Sequence, residues 1–298
     1  MKKLLTSILI LAMVISLAAC AQDDPTQPQD HPSAPSQTVP STDSTDPADP
    51  TLTIPAPSNP STGTKLIWLV QQEIQVYTDS DLGTVITDYT YDELGNCLTV
   101  RQEMGNYTTQ MTLKYDEQGF NTCLIVTQSG IVMRYDYTPD ELGRRAKAEL
   151  YINDILDNTQ TFTYDDNGNL LVLEQVSGDT VSRNVYRYDK NGNVLDYTHY
   201  VDEIVSSTVT LAYDELGRQI SATTTNDQGD VVSIASYVYD TLTETQITKA
   251  ADGTILSRII KTMDAYGNVI AMETVGIDIP TCSYTASYIS IEVPASQS

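Results

Sequence analysis

A six-residue pattern, Tyr-Asp-x-x-Gly-Asn/Arg, recurs along much of this 298-residue chain and limits what it can fold into. Five clear copies begin at Tyr91, Tyr115, Tyr164, Tyr188 and Tyr213. Weaker copies begin at Pro139, Tyr239 and Met263, so that successive starts lie 24 to 26 residues apart. Regular spacing of this kind indicates repeated supersecondary units stacked side by side.

Each copy of the pattern has the chemistry of a turn. The Asp side chain can accept a hydrogen bond from a backbone N–H two residues on, and Gly tolerates positive φ. A second turn signal follows each start by 13 to 16 residues, at Gly105, Gly130, Asn153, Gly178, Asp202, Gly229, Gly253 and Gly276. The stretches between turns are often rich in Val, Ile, Thr and Tyr, so each unit is predicted to be a β-hairpin.

An apolar stripe precedes the motif. The residue two positions before each start is apolar in seven of eight copies, at Tyr89, Leu113, Tyr137, Phe162, Tyr186, Leu211 and Tyr237. Together with the motif Tyr, this gives the period of two that marks one buried face of a sheet. The exception is Lys261 in the last copy, which we interpret as a charge on a solvated end strand.

These features predict an all-β fold. We expect an antiparallel β-meander of roughly seventeen strands, including a first strand near Trp68 to Tyr77. Because large open sheets seldom stay flat, the meander should coil into a curved trough, a spiral or a partly closed barrel.

The first twenty residues have the features of a bacterial export signal. Lys2 and Lys3 precede an apolar run, Leu4 to Leu17, which is too short as a helix to cross the roughly 30 Å hydrocarbon layer. The following segment ends at Cys20 and resembles a lipobox, in which this Cys is acylated. Cys20 is therefore the predicted lipid attachment site, holding the protein at the extracytoplasmic face of a membrane. The alternative is an ordinary secretory signal that ends in Cys.

Residues 21–64 are predicted to be a disordered tether. They contain ten of the 13 Pro residues and no Lys or Arg, which is too polar a composition to build a core. Residues 65–298 then form the β domain. With 40 acidic and 16 basic residues, the net charge is −24, and this charge excludes nucleic acid as a partner.

At the repeated Tyr-Asp-x-x-Gly-Asn/Arg turns, residues 77–290 resemble the RHS or YD-repeat family. The resemblance implies a spiralling β-meander and a location at the cell surface. Long members of that family build shells around a C-terminal toxin domain, and others are adhesion proteins. About eight units are too few to wrap a shell around cargo.

No residue is predicted to be catalytic, or to bind a metal or cofactor. Equivalent motif Asp residues lie two strands apart, about 9.6 Å, which is too far to share a calcium ion. They are interpreted as turn formers, at Asp92, Asp116, Asp140, Asp165, Asp189, Asp214, Asp240 and Asp264. His199, the single His beyond the tether, is interpreted as an ordinary strand residue.

Three cysteines follow Cys20. Cys97 and Cys123 are six and eight residues after their motif starts, which predicts one face and a separation of two strands. That separation exceeds the Cα distance of roughly 7 Å that a disulfide spans. Buried free thiols are favoured, and a bridge to Cys282 stays open.

The sequence favours a non-enzymatic binding or display module for a cell-wall glycan or an extracellular protein. The tyrosine columns favour core packing, with stacking on sugar rings as the alternative. Two other hypotheses are a component or remnant of an RHS-type toxin system and an enzyme of unknown class.

Overall fold

A computed structural model describes residues 64–294, apart from 79–81, 266 and 277–278. The predicted signal segment, Cys20 and residues 21–63 of the predicted tether lie outside this range. The described residues form strands and turns, with no helix long and apolar enough to span a membrane. The strands are β1 Thr64–Tyr77, β2 Thr84–Tyr91, β3 Cys97–Met104, β4 Tyr107–Tyr115, β5 Asn121–Gln128, β6 Ile131–Pro139, β7 Arg145–Ile152, β8 Ile155–Tyr164, β9 Leu170–Ser177, β10 Thr180–Tyr188, β11 Val194–Val201, β12 Ile204–Tyr213, β13 Gln219–Asn226, β14 Val231–Tyr239, β15 Thr243–Ala250, β16 Ile255–Met263, β17 Val269–Gly276 and β18 Ile279–Pro294.

The predicted antiparallel meander is confirmed, and the sheet also closes on itself. Each strand pairs with the next, and β1 pairs with both β2 and β18. Glu73 on β1 joins the two neighbours, because Tyr89 of β2 and Tyr284 of β18 each donate to one of its carboxylate oxygens at 2.9 Å. The fold is thus an 18-stranded barrel, in which every strand pairs with a neighbour on each side.

The turns divide between two rims. The motif turns lie at one end of the strands, which we call the motif rim, and the second turns lie at the other end, which we call the hairpin rim. β1 pairs with β2 only from Gln72 to Val76. Its first residues, 64–70, extend beyond the end of β2 and pair with β18 alone. This two-stranded ribbon places Thr64 and Pro294 side by side on the side of the motif rim.

The motif turns are held by their Asp and Gly residues. In the fourth clear copy, Oδ1 of Asp189 accepts from the backbone N–H groups of Asn191 and Asn193 at 2.8 and 2.9 Å. Gly192 has a φ of +88° and donates its N–H to the Asp189 carbonyl. The interpretation of the motif Asp residues as turn formers is therefore confirmed at this copy.

Gly192→Val is expected to destabilise the fold by more than about 1 kcal/mol, because a β-branched residue is strained at positive φ. Denaturant unfolding of the variant and the parent measures the difference in unfolding free energy. Equal stabilities would contradict the assigned turn geometry.

A β-bulge follows each clear motif and changes which residues share a face. Between Thr90 and Tyr91 the register against β3 moves by one residue, so that Thr90 pairs with Thr99 but Tyr91 pairs with Cys97. Such a bulge places two residues of one strand opposite one residue of its partner. The residues that follow a motif start by six and by nine positions consequently face the same side of the sheet. The residue that follows it by eight positions faces the opposite side.

The cysteines follow this rule. Cys97 packs in the core with Val100 and Leu124, whereas Cys123 precedes Leu124 on its strand and lies on the opposite face, paired with Lys114 and Asp136. The prediction that Cys97 and Cys123 share a face is wrong because of the bulge. Cys97, Cys123 and Cys282 are all free and buried.

The best-packed core lies on β3 to β5. Val100, Met111 and Val126 are at most 1% exposed and are packed together with Cys97, Leu113 and Leu124. We call the side of the sheet that carries these residues the inner face. Tyrosines of β2, β4 and β6 pack around the cluster, so the predicted apolar stripe is part of this core.

Lys261 has a different explanation from the one predicted. It lies on the inner face of β16, directly opposite Glu244 of β15, and its Nζ is 2.9 Å from the Glu244 carboxylate. β16 is not an end strand, because β15 and β17 pair with it on both sides. The charge is tolerated because it is paired with an acid on the neighbouring strand.

Candidate functional site

The motif tyrosines form a ladder that links neighbouring units. The hydroxyl of each ladder tyrosine donates to a backbone carbonyl of a strand residue 18 to 21 positions earlier, at 2.6 to 3.0 Å. The donors are the motif tyrosines Tyr91, Tyr115, Tyr164, Tyr188, Tyr213 and Tyr239, and Tyr288 of β18, which lies outside the motif, makes the same bond. This bond explains why the motif has Tyr and not Phe, and it agrees with the core-packing interpretation of this column.

Tyr188→Phe should destabilise the barrel by about 1 kcal/mol, because the Leu170 carbonyl loses its 2.8 Å hydrogen bond. Denaturant unfolding measures the change. Tyr107→Phe is the matched control, since Tyr107 is exposed at the hairpin rim, and it should leave stability within about 0.5 kcal/mol of the parent. A loss of equal size in both variants would contradict the role of the ladder.

The last motif position also has a role that the sequence did not predict. Asn193 donates its side-chain amide to the second carboxylate oxygen of Asp189, and Arg218 donates to Asp214 in the same way. Arg218 additionally stacks over the ring of Tyr239, the first motif residue of the next unit, at 4.6 Å from the ring centroid. Asn and Arg therefore complete the turn, and Arg also couples adjacent units.

Desolvation raises the pKa of several inner-face tyrosines. It raises the pKa of Tyr115 and of Tyr137 from 10.0 to about 12. A group whose pKa is raised by folding contributes stability that is present below its unfolded pKa and lost as the pH rises through the folded value.

The tyrosine contribution to stability should consequently be constant between pH 7 and 9 and should fall between about pH 10 and 12, whereas the buried thiols of Cys123 and Cys282, whose pKa is also raised, begin to reduce stability at lower pH. Urea unfolding at each pH tests this expectation. In a parallel absorbance titration, the folded protein should form less tyrosinate at pH 11 than the urea-unfolded protein. Superimposable titration curves would contradict it.

A polar wall lines the inner face of β8 to β11, and this is our candidate site. Gln160 of β8 lies directly opposite Gln175 of β9, and its Nε2 donates to the Gln175 Oε1 at 3.0 Å. Asn184 of β10 lies opposite His199 of β11, with 2.8 Å between Oδ1 and Nδ1. Strand alternation puts these four side chains, which we call the polar wall, on the same face as the core.

An aromatic pair borders the polar wall on the side of the motif rim. Tyr186 and Tyr197 lie opposite each other on β10 and β11, with ring centroids 5.4 Å apart and planes tilted by 37°. Burial raises the pKa of both phenols above the ordinary value, so both are neutral at pH 7. The pair presents planar apolar rings next to amide and imidazole groups.

All six side chains are half-buried, so their polar atoms and ring faces stay partly open. A closed sheet of this strand number encloses more space than its own side chains fill, which agrees with that partial exposure. Amides supply donors and acceptors, and tyrosine rings supply apolar faces. This combination suits a polyhydroxylated ligand.

No sequence motif marks this site. His199 lies in strand β11, as predicted, and its ring also contacts Asn184 on the neighbouring strand. The available signal was the period of two, which puts Asn184 and Tyr186 on the face of the motif tyrosine Tyr188. In the part of the chain that the structure covers, no group of three or more His, Cys, Asp or Glu side chains is placed to hold a metal ion.

No protein family and no curated protein matches this sequence. Among solved structures, a porin-like protein from Bacteroides uniformis overlaps 77% of this chain and 99% of its own, with 15% identity and a TM-score of 0.30. TcdB2-TccC3 without its hypervariable C-terminal region overlaps 69% of this chain, with 14% identity and a TM-score of 0.22. This chain spans 15% of the TcdB2-TccC3 chain. Likeness at this level assigns no function.

Proposed function

We propose that this protein is a lipid-anchored, non-enzymatic glycan-binding module of the RHS or YD-repeat type at the extracytoplasmic face of a membrane. Cys20 carries the anchor, residues 21–64 act as the tether, and the barrel binds a cell-wall polysaccharide. The observation that supports glycan as the ligand is the polar wall beside the Tyr186 and Tyr197 rings.

Binding would use both parts of the site. The C–H faces of a sugar ring pack on tyrosine rings, while its hydroxyl groups exchange hydrogen bonds with Gln, Asn and His side chains. Each such hydrogen bond contributes about 0.5–1.5 kcal/mol net, and several in a row give useful affinity for a repeating polymer.

Glycan binding is tested with the purified protein on a glycan array and with insoluble wall polysaccharide. Gln160→Ala and Tyr197→Ala should each weaken retention by about three- to tenfold. Thr161→Ala is the matched control for Gln160→Ala, because Thr161 is the next residue on β8 and faces the other side. Retention that is equal in all variants would overturn the site, and released oligosaccharide would overturn the non-enzymatic assignment.

The anchor is tested separately. Cys20→Ser should abolish incorporation of a labelled fatty acid and should move the protein from the membrane fraction to the medium or periplasm. A Cys20→Ser protein that still incorporates the label would contradict lipidation at this residue. This experiment does not depend on the ligand.

A further inference from the structure

The hairpin rim exposes a row of apolar side chains. From β4 to β12, the residue that opens each even-numbered strand follows a two-residue turn and occupies an equivalent position, and in four of these five units it is large and apolar. Ile155 is 73% exposed and Ile204 is 69% exposed. The apolar members of this row are Tyr107, Ile131, Ile155 and Ile204, and Thr180 holds the place between the last two. Burial of one such side chain contributes about 1.5–3 kcal/mol, so a row of exposed apolar side chains on neighbouring hairpins marks an interaction surface.

The hairpin tips that carry this row are held in position by their neighbours. Oδ1 of Asn153 accepts from the backbone N–H of Val132 in the adjacent hairpin at 3.0 Å. Asp202 occupies the position of Asn153 two units later, and its Oδ1 accepts from the backbone N–H of Val181 at 2.9 Å. Ordered tips lose little conformational entropy when a partner binds, which favours recognition.

Acidic residues alternate with the apolar row. The second turns from β7 to β16 carry Asp154, Asp179, Asp202, Glu203, Asp227, Asp230 and Asp252. The same turns contain no Lys or Arg. Asp154 and Glu203 form ion pairs with Arg134 and Arg183, yet remain largely exposed. A partner on this surface therefore meets an apolar row in a negative field.

Charge selects the occupant. A second copy of this chain would bring another net charge of −24 to the interface, and anionic lipid would also be repelled. A segment that offers apolar side chains with Lys or Arg between them complements both features. We propose that the hairpin rim binds a cationic, apolar segment of an extracellular protein.

The spacing of the tips sets the pattern that such a segment needs. Equivalent residues on successive hairpins are two strands apart, about 9.6 Å. A segment in the polyproline II conformation rises about 3.1 Å per residue with three residues per turn, so an apolar residue at every third position lies on one side and meets successive tips. The described chain ends, Thr64 and Pro294, lie on the side of the motif rim. The glycan site on the inner face is not required for this binding.

The test uses the full-length protein and three synthetic peptides of about fifteen residues. The first has Leu at every third position and Lys elsewhere, the second replaces Leu with Ser, and the third replaces Lys with Glu. Calorimetry at low and physiological salt should show binding of the Leu/Lys peptide, with at least tenfold weaker binding of the other two. Equal binding of the Leu/Lys and Ser/Lys peptides would overturn the apolar contribution.

Two double variants locate the surface. Ile155→Ser with Ile204→Ser should weaken Leu/Lys peptide binding at least tenfold. Leu142→Ser with Leu216→Ser, which removes exposed side chains from the motif rim, should leave it unchanged. An equal loss in both variants, preferential binding of vesicles rich in phosphatidylglycerol, or a dimer that the hairpin-rim variant dissociates would each overturn the proposal. If the glycan assays fail while these results hold, the proposed function fails alone.

Discussion

Met111→Ala should destabilise the barrel by about 2–5 kcal/mol, the largest effect that we expect from a single truncation. Met111 is 0% exposed at the centre of the core cluster, between Val100 on β3 and Val126 on β5. Its removal leaves a cavity that rigid strands on both sides cannot close. Denaturant unfolding, analysed with the same dependence of free energy on denaturant concentration for both proteins, measures the loss of unfolding free energy.

The matched control for that variant is Leu216→Ala. Leu216 is 77% exposed at the motif rim, so the same kind of truncation should change stability by less than about 0.5 kcal/mol. If the two truncations had equal effects, the core would not lie on β3 to β5.

Gly143→Ala should cost about 2–4 kcal/mol. Gly143 has a φ of +81°, and a Cβ atom added there would lie 2.1 Å from Cζ of Phe120, whose ring covers this glycine. A left-handed alanine costs about 1 kcal/mol, and displacing a packed ring adds about 1–3 kcal/mol. Unfolding experiments on the variant measure the sum.

Two variants separate these contributions. Gly192→Ala has a φ of +88° but its Cβ would meet only Oδ1 of Asn169, at 3.8 Å, so it should cost about 1 kcal/mol. Phe120→Asn combined with Gly143→Ala should lower the cost of the alanine to the same level. If the alanine still cost 2–4 kcal/mol in the Phe120→Asn background, the contact with the ring would not be the cause.

The local structure could be predicted from the sequence because it depends on short-range chemistry. Asp189 and Gly192 define their turn within four residues, and the period of two identifies the inner face. The bulge could not be predicted from that period. It adds one residue to a strand, and no residue type in the sequence marks where the alternation of faces is interrupted. For this reason the faces of Cys97 and Cys123 were assigned wrongly.

The closure of the sheet and the polar wall depend on contacts between distant residues. The hydrogen bond from Tyr284 to Glu73 joins residues 211 apart in sequence, and nothing local indicates that these strands meet. Gln160 and Gln175 meet because the register between β8 and β9 places them opposite each other. The sequence does not show that a strand amide belongs to a site until the residue opposite it is known.

Because Thr64 and Pro294 are paired, the order of the hairpins around the barrel is cyclic. A circular permutant that joins these ends and begins at another second turn would preserve every strand pairing. Each unit adds two strands, so insertion or loss of a whole unit keeps an even strand number and an antiparallel seam. Only the circumference would change, by about 9.6 Å per unit, which offers a simple route to relatives with wider or narrower lumens.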